Sequence, residues 1–470
     1  MDNKEFRKYA HELVDWMADY LENKEAYPVK ALVQPKEIIN QLPDNPPATG
    51  EPFEQIFEDF QKIIIPGMTH WQSPNFFAYF PANSSAPSIL AEMLMSTLAA
   101  QCMSWQTSPS ATELEEQVMN WLKQMISLPQ NWSGVIQDTA STSTLAAMIC
   151  ARENKTDFAI NQKGYQAEHK FRIYGSVETH SSIEKGVKIA GFGADNLVKV
   201  GVDENFAMIP EELESAIKAD IENGYTPLCA IATLGTTGST AIDPLDSIGK
   251  ICEKYNVWLH IDGAFGGTAL LLDEYRFMLK GIERADSFVF NPHKWMFTNF
   301  DCSAYFVKSE AALVRTFEIL PEYLKTAEGD RVKNYRDWGI PLGRRFRALK
   351  LWFVIRTYGV DGLKMKIRGH LEMARFLKEQ LEIDSNFEII GPVNFNMVCF
   401  RYNPGNLDEN ELEQLNNQLL ENLNNSGKLY LSHTKLTDKF VLRMQIGQTD
   451  VTLDHVKKAL ELIKKTADSL

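Results

Sequence analysis

The sequence predicts an α/β protein built on a mostly parallel, seven-stranded sheet with helices on both faces. Two features predict it. Seven short apolar runs follow one another, at 134–136, 171–174, 197–200, 229–234, 257–261, 287–290 and 303–307. Several are separated by stretches of helical character, such as 210–221 and 244–255. Strands that are apolar throughout are buried on both faces, and parallel strands need helical crossovers to cover them.

The flanks read differently. Phe6, Ala10, Leu13, Val14, Met17 and Leu21 recur at helical spacing, and a second helical stretch over 51–64 stops before Pro66. The Pro-rich connector 41–52 lies between them. Two helices this short have no core of their own, so residues 1–85 are expected to form a helical segment that packs on a partner subunit. Residues 86–360 form the large α/β domain. A long helical pattern follows Gly343, at 347–358 and 363–381. Strand candidates at 397–402 and 440–446 and a closing helix at 453–463 make 361–470 a small α+β domain.

Composition narrows the function. With 44% hydrophobic and 23% charged residues in a chain of 470, disordered and fibrous classes are excluded. A formal charge of −14 repels phosphate backbones and anionic lipid, so neither nucleic acid nor membrane is an expected partner. The six cysteines (102, 150, 229, 252, 302, 399) are widely spaced without a CxxC pair. They fit buried free thiols of a reducing compartment better than disulfides or a zinc site, and no metal is expected. The chain opens on polar residues, and no apolar run approaches the ~18 residues of a membrane span. The cytoplasm is the expected location.

In an open α/β sheet, ligands bind outside the carboxyl ends of the strands. Asp262 ends one such run and precedes Gly263-Ala264-Phe265-Gly266-Gly267. A carboxylate there needs a charged or hydrogen-bonding partner; a protonated pyridine nitrogen would serve, and so would a plain Asp-Gly turn. Lys294 follows another run, in Asn291-Pro292-His293-Lys294-Trp295. An indole neighbour and a strand end desolvate its amine and free it as a nucleophile, although most lysines are solvated surface groups. The segment Asp138-Thr139-Ala140-Ser141-Thr142-Ser143 opens a helix, where backbone N–H groups can seat a phosphate or the hydroxyls can simply cap. His180 after a third run can stack on a planar ring or serve structure alone. Gly235-Thr236-Thr237-Gly238 closes a fourth, as a hydroxyl donor or as a tight turn. The conjunction decides among these readings. A phosphate seat, a stacking imidazole, a carboxylate and a desolvated lysine at separate strand ends are what pyridoxal phosphate requires, because its ring is an electron sink only while its nitrogen stays protonated.

With these residues in view, the chain resembles the group II pyridoxal-phosphate decarboxylases, and within them the aromatic L-amino-acid decarboxylases. The resemblance rests on Asn291-Pro292-His293-Lys294-Trp295 with Asn299-Phe300-Asp301-Cys302-Ser303, on Asn75-Phe76-Phe77-Ala78-Tyr79-Phe80-Pro81, and on Ser108-Pro109 with Thr112-Glu113-Leu114-Glu115. It also covers 260–267 and Trp338-Gly339-Ile340-Pro341-Leu342-Gly343-Arg344-Arg345-Phe346-Arg347. It implies the aspartate-aminotransferase-like fold (fold type I) and a homodimer with shared active sites. It implies that Lys294 holds the cofactor as a Schiff base, that Asp262 meets the pyridine nitrogen and that His180 stacks on the ring. It further implies that Ala140, Ser141, Thr237, Asn291 and His293 contact the cofactor, and that Tyr79, Phe80, Ala82, Met103 and Gly343, with His180, face the substrate.

The implied reaction is loss of carbon dioxide from an amino acid, followed by protonation of Cα. Tyr323, on a stretch 325–333 that fits a closing loop, matches the family's proton donor. Oxidative aldehyde synthases of the family typically replace this tyrosine by Phe or the stacking histidine by Asn; this chain keeps both, which favours an amine product. Gly343 matches a Gly of relatives that accept bulky indole substrates, which implies room for tryptophan or 5-hydroxytryptophan, although catechol-using relatives share it. Catechol-using relatives carry Thr where this chain has Ala82, which removes a hydrogen bond of about 0.5–1.5 kcal/mol and disfavours DOPA relative to phenylalanine or tryptophan. The alternatives are a decarboxylase of glutamate, aspartate or 2,4-diaminobutyrate, which would need a buried counter-charge, and an aromatic aldehyde synthase.

Overall fold

The structure, a computed structural model, describes residues 1–319 and 331–470. The chain divides into two compact units, one of Met1–Pro81, Phe376–Ile389 and Phe400–Leu470, the other of Ala82–Arg375 and Ile390–Cys399.

The second unit carries the large sheet. Its strands are β1 (Ser133–Gln137), β2 (Phe171–Ser176), β3 (Leu197–Val200), β4 (Thr226–Thr233), β5 (Trp258–Asp262), β6 (Ser287–Phe290) and β7 (Ser303–Val307), in the order β1-β7-β6-β5-β4-β2-β3. Neighbours from β6 through β5, β4 and β2 to β3 are parallel; only β7 runs antiparallel, to β6 and to β1. Every residue of β6 and β7 is buried, which is why these runs are continuously apolar rather than alternating. The helix Ala140–Lys155 packs across β4 to β7 and against Ser181–Ile189, while Pro210–Glu222 and Leu245–Tyr255 pack on each other and over β3 to β5. Met148, Ile173, Ile183, Val187 and Ile231 form one buried cluster of this core.

At the sheet edge, the outward N–H and carbonyl of a strand need partners or water. On β1 a buried ion pair supplies them. The Ile136 N–H donates to Glu115 Oε1 (2.9 Å), and the Ile136 carbonyl accepts from Arg344 Nη2 (2.7 Å). Arg344 in turn grips Glu115 with both nitrogens, at 2.6 and 3.1 Å. Two motif residues far apart in sequence thus close one strand edge.

The first unit contains most of a four-stranded sheet, β8 (Phe387–Ile389), β9 (Met397–Tyr402), β10 (Ser432–Leu436) and β11 (Lys439–Gln445), ordered β10-β11-β9-β8. The helices Glu409–Asn425 and Leu453–Ala467 pack on each other. At the N-terminus, Asp2 and Glu5 form a capping box for the helix Asn3–Glu22. That helix buries no residue; it lays Trp16 against Phe57 and Phe60. The two helical patterns predicted after Gly343 fall in one run, Arg347–Glu382, broken at Gly359, whose φ of 64° suits glycine. All six cysteines are buried, and none forms a disulfide among the described residues. Among the described residues no helix is long and apolar enough to cross a membrane.

Removing one partner of a buried ion pair leaves an uncompensated charge. Arg344→Met is expected to lower unfolding stability by about 3–5 kcal/mol, and a second change, Glu115→Gln, to restore part of it. Chemical denaturation of the three proteins measures this; equal stability of Arg344→Met and the parent would show that the pair does not secure the β1 edge.

Candidate active site

The candidate residues of the second unit converge because the parallel strands end on one edge of the sheet. Asp262 is the last residue of β5, registered opposite Thr233 of β4 and Val289 of β6. Its Oδ1 accepts the Ala264 N–H at 2.9 Å, and the chain then turns so that the Ala264 carbonyl accepts the Asn291 N–H at 3.1 Å. Asn291 begins the lysine turn, and its carbonyl accepts the Lys294 N–H at 2.9 Å. Trp295 fixes this turn from below. It is fully buried, stacks on Phe265 at 5.0 Å, and donates its indole N–H to His370 Nδ1 at 2.9 Å.

Electrostatics ties the cluster together. Enclosure by protein pushes the Lys294 amine below the usual lysine range, and the Asp262 carboxylate opposes that shift. His180 is the N-cap of the helix Ser181–Ile189, with its Nδ1 accepting the Ser182 N–H at 3.2 Å. Packing and then the Lys294 charge hold its imidazole below the ordinary value, again against Asp262. An Nδ1 engaged as acceptor leaves the ring proton on Nε2. His293 is buried and accepts the Cys302 N–H on Nδ1 at 2.8 Å; burial drives it down to about 3, so it is neutral.

Three observations fit a phosphorylated pyridine to this site. Thr139 caps the helix Ala140–Lys155, leaving the first-turn N–H groups of Ala140 and Ser141 directed out of the helix. The Asn291 side-chain oxygen is buried without a hydrogen bond among the described residues. An amine of lowered basicity stands near a buried carboxylate. Thr237 lies in the turn after β4, where Gly235 has a φ of 93° and a Cβ would press on Phe395 at 3.1 Å.

Of the residues proposed for substrate, Ala82 precedes Asn83, whose N–H donates to the His293 carbonyl at 3.0 Å. This ties the segment to the lysine turn. Met103 and Gly343 lie on two segments joined by a hydrogen bond from the Cys102 N–H to the Arg344 carbonyl, 2.9 Å. A Cβ on Gly343 would meet Gln101 Nε2 at 3.2 Å. Tyr79 and Phe80 belong to the first unit, where Tyr79 is half exposed and Phe80 buried. Tyr323 lies outside the described residues, as does much of the stretch 325–333.

His260 was not among the sequence candidates. Two residues before Asp262 on β5, it shares the same sheet face and bridges Ser287 Oγ (2.8 Å) to Thr144 Oγ1 (3.1 Å). It thereby links the strand of Asp262 to the helix Ala140–Lys155. Its position at i−2 from Asp262 was the available signal.

The pyridoxal-dependent decarboxylase conserved domain matches residues 35–403. The chain belongs to this family. It is a carboxy-lyase of group II, and its cofactor is pyridoxal 5′-phosphate. It is 42% identical to tryptophan decarboxylase 2 of Oryza sativa subsp. japonica, over 99% of this chain and 95% of that protein. It is also 42% identical to phenylacetaldehyde synthase of Arabidopsis thaliana, over 100% of this chain and 97% of the relative. The crystal structure of an Oryza sativa TDC with PLP and tryptamine superposes with a TM-score of 0.97 at 35% identity, covering 100% of this chain and 99% of the other. The fold is PLP fold type I, as the sheet and its helices indicate.

Burial lowers the His260 imidazole to about 4, below its ordinary 6.5. A depressed histidine value adds stability that is present above pH 6.5 and is lost as pH falls toward 4, up to about 3 kcal/mol. His260→Gln keeps two hydrogen-bonding ends and cannot titrate. Its thermal stability should fall less steeply than the parent's between pH 6.5 and 4; parallel curves would contradict the assignment.

Proposed function

We propose that this enzyme decarboxylates an aromatic L-amino acid (tryptophan, 5-hydroxytryptophan, phenylalanine, tyrosine or DOPA) to the amine and carbon dioxide. The observation that carries the reading is the Lys294–Asp262–His180 cluster at the strand ends, in a chain similar over its whole length to a tryptophan decarboxylase.

In this reading the Lys294 amine, whose burial disfavours the charged form, would attach the cofactor, and Asp262 would meet its pyridine nitrogen. His180 would stack on the cofactor ring. The N–H groups of Ala140 and Ser141, with Thr237, Asn291 and His293, hold the remaining polar groups of the cofactor. Pyridoxal phosphate, when bound, supplies the electron sink for the pair left as the Cα–carboxylate bond breaks. Tyr323 returns a proton to Cα. Tyr79, Phe80, Ala82, Met103 and Gly343 receive the substrate side chain. None of these five side chains is itself charged. Ala82 offers no hydroxyl to a catechol.

The active unit in this reading is a homodimer with shared sites. Apolar residues exposed on two helices support it, Phe6 and Val14 on Asn3–Glu22 and Leu90, Leu94 and Leu98 on Ala86–Leu98. The segment 1–85 packs on the partner, 86–360 holds the cofactor and 361–470 forms the small domain. The cytoplasm is the proposed location. A second reading, an aromatic aldehyde synthase, draws on the likeness to phenylacetaldehyde synthase; His180 and Tyr323, both retained, favour the amine.

Incubating cofactor-loaded enzyme with tryptophan, 5-hydroxytryptophan, phenylalanine, tyrosine, DOPA, glutamate and 2,4-diaminobutyrate, with products identified by mass spectrometry, tests this. Amines from the aromatic set alone are expected, with DOPA ranked below phenylalanine or tryptophan. Products only from glutamate or diaminobutyrate would overturn the aromatic pocket, and aldehyde with peroxide would establish the second reading.

A further inference from the structure

Tyr79 combines a strained backbone with an exposed ring. Its φ is 53°, in the left-handed region that disfavours residues with a Cβ, and its side chain is 48% exposed. Such a conformation persists only where neighbours over-determine it. Three contacts within the first unit do so. The Tyr79 N–H donates to Ser432 Oγ at 3.1 Å, and that oxygen also accepts from Arg443 Nη1 at 3.0 Å. The Tyr79 ring lies nearly parallel to Trp71, centroids 5.8 Å apart and planes 18° from each other. On its other side Tyr430 meets it edge to face, at 6.0 Å and 77°, with the two phenol oxygens 3.3 Å apart.

Tyr430 is the anchored member of this pair. Its carbonyl accepts the Phe77 N–H at 2.9 Å, its own N–H donates to the Asn75 carbonyl at 3.2 Å, and its ring stands edge-on to Phe76 at 5.6 Å. It therefore grips the same short segment at both the backbone and the ring. Burial, then the bond to Tyr79, raise its phenol to about 12, so it keeps its proton at neutral pH. Two phenols sharing one hydrogen bond hold two protons, and the second stays available to a third group.

We propose that Tyr430 is a positioning residue of this enzyme: its hydroxyl fixes the Tyr79 phenol, and through it the affinity for the aromatic side chain of the substrate. This rests on the reading of Tyr79 as a substrate-facing residue. Trp71 and Ser432 restrain the ring plane and the backbone, and among the described residues Tyr430 alone holds the phenol oxygen.

The test is steady-state kinetics of cofactor-loaded Tyr430→Phe, Tyr79→Phe, the double variant and Tyr79→Ala on the best aromatic substrate. Loss of one hydrogen bond corresponds to roughly a threefold to tenfold rise in KM. Tyr430→Phe should show that rise with kcat within about twofold and an unchanged visible band of the bound cofactor. The double variant should be no worse than Tyr79→Phe alone, because both remove the same bond. If Tyr79→Ala raises KM and Tyr430→Phe does not, the positioning role is overturned while Tyr79 keeps its place in the pocket. Additive effects of the two Phe changes would also overturn it. If Tyr79→Ala leaves KM unchanged, the reading of Tyr79 itself fails, and the positioning role with it.

Discussion

Holding the amine of Lys294 largely out of water, beside a carboxylate, is the constraint around which the large sheet is arranged. Desolvation disfavours the ammonium form, so the amine is kept reactive at a cost in stability that the surrounding packing must offset. The site does this with apolar mass. Trp295 and Phe265 stack beneath the lysine turn, and β6 and β7, which flank it in sequence, are buried along their whole length. Asp262 tempers the penalty without cancelling it. A lysine at the same place on an exposed strand end would stay an ordinary cation.

Parallel topology is what makes the convergence possible. Because β4, β5 and β6 run the same way, the residues after each of them emerge on one edge, and groups from three turns meet without long loops. His260 ties this edge to the helix Ala140–Lys155 through Thr144. The strand that ends in Asp262 and that helix are thereby joined through one buried side chain. At the far side, the Glu115–Arg344 pair ends the sheet at β1. A slip of β5 by one residue would carry Asp262 to the opposite face, and the two hydrogen bonds of His260 resist it.

The large sheet was legible in the sequence because burial on both faces writes each strand as an uninterrupted apolar run. The small sheet was less so. β10, Ser432–Leu436, alternates buried with exposed positions and reads as polar, and β8 has three residues. The helix Glu409–Asn425 is rich in asparagine, a poor helix former, and owes its place to packing on β11 and on Leu453–Ala467. In the site, residues at strand ends could be found by the rule that ligands bind there. Asn83 could not, and His260 offered only its place two residues before Asp262, because their importance comes from partners more than a hundred residues away, His293 and Thr144. Tyr430 is of the same kind: nothing in its local sequence marks it, and only the chain's return beside Phe76 and Phe77 does.

One chemical step at one atom underlies all of this, so the most direct measurement is to locate the cofactor. Reducing the cofactor-loaded enzyme with borohydride fixes the pyridoxyl group to whichever amine carries it, and peptide mass spectrometry reads the position. The account predicts a single label on Lys294, absent from Lys294→Ala. A label on any other lysine, or an unreduced cofactor released on denaturation, would contradict it.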